Sequence, residues 1–201
     1  MKKTYITNVS LQGKGDLLKI SYEPKGFAMK NNRKTSFPII PVIAENQEDG
    51  DEVKILVVRS NNTDTPDNYA VLLGELAELG IREDQVREIT IPEDQSDSVN
   101  LKLLMTILEE IPEDSMVYGD ITFGTKPMSA ILLYAMSFVE KVKDCEVGGI
   151  YYGEVKRANR EVIGAALYDL MVFKLLGDMI DELKDLEIYG MQEALNRLLK
   201  L

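Results

Sequence analysis

The sequence predicts an α/β protein with a doubly wound, mainly parallel sheet, helices on both faces and further helices at the C-terminus. Three observations predict it. Short apolar runs alternate with amphipathic helical segments between residues 54 and 152. Those helical segments are long enough to serve as right-handed crossovers between parallel strands. The chain, at 201 residues with 45% hydrophobic and 28% charged residues, is sized for one globular domain with a short appendage.

The elements follow in order. Residues 4–10 and 17–23 are rich in β-branched and aromatic residues and read as two strands, with Gln12-Gly13-Lys14-Gly15-Asp16 as the turn between them. Residues 24–32 show no periodicity. A short apolar run from Phe37 to Ala44 precedes a solvated acidic loop. Residues 54–58 form a buried strand, and 67–80 a helix with Tyr69, Leu72, Leu73, Leu76 and Leu79 on one face, stopped by Gly80. Strands at 87–91, 116–122 and 147–152 alternate with helices at 98–111 and 126–143, the first ended by Pro112. This βα alternation is Rossmann-like. Residues from Val162 to about Leu186 read as one long helix and those after Gly190 as a short one. The chain thus divides into a ligand-binding domain at 1–160 and a helical dimerisation or connector segment at 161–201.

Composition excludes several functions. The chain has no histidine, which removes Ser-His-Asp and Cys-His nucleophilic machinery and imidazole-based zinc sites. Its one cysteine, Cys145, forms no internal disulfide, and no stretch is long and apolar enough for a membrane span, so a cytoplasmic protein is expected. Lys plus Arg number 23 against 34 Asp plus Glu, a net charge of −11 that repels duplex nucleic acid at long range. An anionic ligand must be caught locally.

In an open parallel sheet, ligands bind at the carboxyl ends of strands, so the loops after the strands carry the candidates. After strand 116–122, Thr122-Phe123-Gly124-Thr125-Lys126 turns directly into a helix. Gly124 lets the backbone approach a ligand, the helix N-terminus offers unpaired N–H groups, and the hydroxyls and one ammonium suit a phosphate or ribose. Thr125 could equally be a plain helix cap. Arg59, Ser60 and Asn61 after strand 54–58 could read a base edge or form an Asn-rich turn. Asn8, Ser10, Gln12 and Gly13 follow the first strand, as ligand loop or simple hairpin. Tyr152 and Gly153 close the strand at 147–152, where a tyrosine could stack on a base or merely pack. Lys156, Arg157 and Arg160 beyond it read as solvated cations. No metal or cofactor is called for.

Asp120-Ile-Thr-Phe-Gly-Thr-Lys-Pro-Met128 resembles the Asp-x-Thr-x-Gly-Thr-Lys-x-Met signature of CARF domains, the CRISPR-associated Rossmann-fold sensors. Gly149-Ile-Tyr-Tyr-Gly153 resembles the same family's Ile-Tyr-Tyr-Gly strand. The likeness covers roughly residues 3–155; Phe123 stands where the family usually carries Gly or His. It implies a homodimer that binds a cyclic oligoadenylate second messenger of type III CRISPR systems across its two-fold axis and regulates an attached or partner effector. It also implies that Gly124, Thr125 and Lys126 meet phosphate and ribose, and that residues 8–13 form a first ligand loop. A ring nuclease that cleaves the messenger slowly without metal is the alternative. A groove-binding DNA element in the tail is disfavoured by its acidic excess, and a generic nucleotide-dependent enzyme remains a further reading.

Overall fold

A computed structural model of the chain describes residues 1–13, 17–61, 65–159, 161–183, 190, 192 and 193. Seven strands form one sheet: β1 (Lys2–Asn8), β2 (Glu23–Lys25), β3 (Glu52–Ser60), β4 (Val86–Ile91), β5 (Ser115–Asp120), β6 (Glu146–Ala158) and β7 (Glu161–Asp169), in the order β2-β7-β6-β5-β1-β3-β4. Every neighbouring pair is parallel except β6 with β7. Five helices are described: α1 (Ile39–Asn46), α2 (Thr65–Glu78), α3 (Asp97–Glu110), α4 (Lys126–Val142) and α5 (Met171–Leu183).

The two-residue period of the strands sorts their side chains onto two faces. Ile6, Leu56, Val117 and Ile150 pack under α3 and α4 with Leu103, Ile107, Leu132 and Met136. Tyr5, Ile55, Val57 and Tyr118 pack under α1 and α2 with Ile39, Ile43, Leu72 and Leu76. Burial on both faces explains why the central strands are apolar almost without interruption.

Three expectations are corrected. Residues 17–23 do not form a strand beside the first; they contribute one bridge, Ile20 to Thr35, before the short β2 pairs with β7. Both edges of β1 are taken by β3 and β5, so no place beside it remains for a hairpin partner. Instead, residues 9–13 and 17–36 form a strap held by α2: Asn68 donates to the carbonyls of Ser10 and Gln12 at 2.9 Å each, and Glu75 accepts from the Thr35 hydroxyl and from the Ser36 N–H at 3.0 Å. Second, the long helix expected from Val162 is a strand, β7, hairpinned on β6, with Asn159 in the left-handed region at the turn (φ 51°). The helix begins only at Met171, and the boundary expected at 160/161 falls inside this hairpin of the sheet. Third, the first and fifth strands end sooner than expected, at Asn8 and Asp120. The expected turn residues 14–16, the loop residues Asn62 and Thr63, Arg160 and most of the short helix after Gly190 lie outside the described residues. No helix among the described residues is long and apolar enough to cross a membrane.

Candidate functional site

After β2 at the far edge, α1 leads to β3 and α2 to β4 on one side of β1, and α3 then crosses to β5 and α4 leads to β6 on the other. Strand order therefore reverses between β1 and β5, and the crevice outside the carboxyl ends of those two strands is the place where such sheets bind ligands. Asn8 ends β1, and Asp120 ends β5. Residues 121–125 then lead into α4.

Gly124 sits at φ 90°, a conformation that favours glycine. A methyl group there would lie 3.1 Å from Cβ and Cγ of Asn8 and 3.2 Å from Cε of Met128. The two loops are thus in contact through the absence of a side chain. Asn8 is 1% exposed, and its Nδ2 has no hydrogen-bond partner among the described residues. A buried donor of this kind costs about 1–3 kcal/mol when unsatisfied.

Asp120 faces inward. It is fully buried and accepts from the Thr7 hydroxyl at 3.0 Å and from the N–H and hydroxyl of Thr122 at 2.9 and 2.5 Å. Burial pushes its carboxyl above the usual carboxylate range, against the pull of these donors. Thr122 in turn accepts the Gly153 N–H at 2.7 Å, which joins the end of β5 to β6. Gly153 is required there, since a methyl would meet Pro38 Cγ at 2.4 Å. Phe123 packs edge-on against Phe37, with ring centroids 5.6 Å apart.

Thr125 caps α4: its hydroxyl accepts from the Met128 N–H at 3.4 Å and donates to Gln95 at 2.8 Å. Lys126, the first residue of the helix, is exposed and has no ion-pair partner among the described residues. Thr122, Phe123, Gly124, Thr125 and Lys126 therefore come together with Asn8 at the crevice.

A cavity of about 250 Å³ adjoins it, lined by Gln12, Thr122, Phe123 and Gly153 together with Tyr22 and Arg157. Ser10, near the start of the strap, is buried, and its hydroxyl accepts the Gln12 N–H at 3.2 Å. Tyr22 and Arg157 went unread in the sequence as site residues. Tyr22 looked like a strand residue and Arg157 like a solvated cation; the strap and the β6–β7 hairpin bring them to the cavity. Burial, with Asp120 and Glu75 nearby, pushes the Tyr22 phenol well above its ordinary value. A larger groove, about 560 Å³ between residues 30–33 and the C-terminal end of α1, lies toward the amino ends of the strands and holds none of the expected residues.

Of the residues expected after β3, Arg59, Ser60 and Asn61 make their contacts toward β4 and α2. Arg59 donates to Glu88 of β4 at 2.7 Å and lies over the Tyr69 ring of α2, 5.8 Å from its centroid. Ser60 is buried, and the Asn61 N–H bonds the Ile91 carbonyl at 2.9 Å. These contacts tie the loop to β4. Tyr152 stays exposed opposite Tyr168 of β7, while its neighbour Tyr151 is the packed ring, tilted against Phe27. Among the described residues no group of three or more side chains is placed to hold a metal ion. No protein-family model matches the chain, and no curated protein matches it.

Proposed function

We propose that this chain is a cytoplasmic sensor that, as a homodimer, binds a cyclic oligoadenylate of type III CRISPR antiviral signalling and regulates an attached or partner effector. One observation carries the reading: at the point where strand order reverses, Asn8, whose side chain packs against Gly124 of the Asp120–Met128 segment, has a buried Nδ2 that lacks a hydrogen-bond partner among the described residues. A ligand oxygen is the complement of such a donor.

The surroundings suit a nucleotide phosphate and ribose. The N-terminal end of α4 supplies a positive dipole, and Lys126 adds a cation without a competing carboxylate among the described residues. Contacts within about 3 Å in a partly closed crevice are screened far less than the −11 net charge is at a Debye length, so local donors outweigh the global repulsion. A ring with two-fold symmetry is matched by two copies of the crevice, each presenting one Lys126.

The test is a thermal-shift panel of cyclic tri-, tetra- and hexa-adenylate on wild type and Lys126→Ala. One ring should raise Tm, linear AMP should not, and Lys126→Ala should lose the shift. No shift with any ring overturns the reading.

A further inference from the structure

The outer surface of the α3–α4–α5 layer is unlike the rest of the molecule. In α5, Val172, Leu176 and Ile180 share one face at i, i+4 and i+8, and all are exposed, as is Phe173 beside them. Every exposed residue between Met171 and Ile180 is apolar. Of the two charged residues of that stretch, Lys174, with 11% of its side chain exposed, turns the other way and reaches Glu140 of α4 at 2.8 Å and Asp178 at 2.7 Å. This reverses the arrangement of an ordinary surface helix, which buries its apolar stripe and shows its charges to water.

The same surface continues across α4 and α3. Tyr134 and Phe138 of α4 are 62% and 45% exposed, and Leu101 and Met105 of α3 are 60% and 55% exposed. The two helices run side by side and in the same direction, since Thr125 before α4 bonds Gln95 before α3, and Lys143 after α4 donates to the Ile111 carbonyl after α3 at 2.6 Å. Helical periodicity then turns both pairs toward the outer groove between the helices. The opposite layer, α1 and α2, shows one exposed large apolar side chain among its described residues, Val71.

We infer that this α3–α4–α5 surface is where a second copy of the chain docks. The inference names the contact face of the proposed dimer and rests on that reading for its choice of occupant. Area and charge agree with it. The exposed apolar side chains of the layer amount to roughly 800 Å², above the about 300–600 Å² of a typical monomer's largest patch and close to one partner's share of a standard interface. With a net charge of −11, two copies repel except where carboxylates are absent or neutralised. Glu140 is the only carboxylate of α4 and Asp178 the only one between Met171 and Ile180, and Lys174 holds both. The same net charge disfavours an anionic lipid surface as the occupant. A two-fold contact uses one surface twice and needs no further partner.

Sedimentation velocity of the full chain across micromolar concentrations tests this. Wild type should sediment as a dimer, Tyr134→Asp with Phe173→Asp should weaken dimerisation about tenfold or more, and Val71→Asp should leave it unchanged. Met105→Glu, on a separate helix, replaces the double variant if that variant loses its helical circular dichroism. A monomeric wild type, a double variant that dimerises as tightly as wild type, or a monomer that floats with phosphatidylcholine–phosphatidylglycerol vesicles overturns the inference. A dimer that binds no ring leaves this surface standing and sinks the sensor reading; a monomer that binds the ring does the reverse.

Discussion

The hydroxyl of Thr122 accepts the backbone N–H of Gly153 at 2.7 Å while donating to the fully buried carboxyl of Asp120. One side chain therefore couples the two sequence segments that the family resemblance singled out, and it does so beneath the crevice. Asp120 and Thr122 build the floor that fixes the Phe123–Lys126 loop. Asn8 lies against Gly124 of that loop, which leads into the N-terminus of α4.

Thr122→Val leaves the Gly153 N–H unsatisfied and removes a donor from Asp120, at a cost of about 1–3 kcal/mol. Urea unfolding should show a lower midpoint with unchanged slope, and Thr122→Ser should restore most of the loss. An unchanged midpoint for the valine variant would remove the coupling from the account of this site.

Glycine is required at two positions for different reasons. Gly153→Ala drives a methyl into the rigid Pro38 ring, 2.4 Å from Cγ, and should cost about 1–3 kcal/mol. Gly124→Ala combines a left-handed backbone with a 3.1 Å approach to Asn8, so it should lower stability by a similar amount, on the order of 1–3 kcal/mol, and also abolish ring binding. Calorimetric Tm values with and without the ring separate the two effects.

Lys126 sits where a cation is unfavourable for the helix, at the positive end of the α4 dipole. Lys126→Ala should therefore raise the stability of the ligand-free protein by about 0.3–1 kcal/mol while removing the ring-induced shift. Loss of both apo stability and ligand response would instead mark Lys126 as a structural residue.

Asp51 accepts from Lys3 at 2.6 Å, from the Glu48 N–H at 2.8 Å and from the N-terminal amine at 3.1 Å, and these contacts, led by Lys3, hold its carboxyl down at about 2 from an ordinary 3.8. Because the folded value lies below the unfolded one, the stability it contributes is present above about pH 4 and lost as pH falls toward about 2. Asp51→Asn should be less stable than wild type at pH 6, with the difference closing between about pH 4 and 2 in acid titrations followed by circular dichroism. A difference that stays constant across that window would assign the effect to packing.

Much of the fold was legible because its signals are local. The helices at 97–110 and 126–142 carry their own apolar stripes and stops, and the Thr125 cap and Gly124 turn are written in a few adjacent residues. The Val162–Leu167 run was misread because a short apolar segment rich in Ala fits either period, and its hairpin depends on Asn159 adopting φ 51° directly after β6. The partner of Arg59 was illegible for a related reason: only the β3–β4 pairing shows Glu88 beside it.

Sequence alone sufficed for the parallel βα alternation, the strand-end loop at 122–126 and the exclusion of histidine chemistry, since each depends on residue type and short-range spacing. Contacts between distant segments required the tertiary structure. The buried donors that Thr7 and Thr122 aim at Asp120 are visible only in the fold, and Tyr22 and Arg157 reached the cavity only through the strap and the hairpin. The outward apolar face of α5 belongs to the same class, because an amphipathic pattern specifies that a helix has two faces, while packing of Lys174 against Glu140 decides which one meets water.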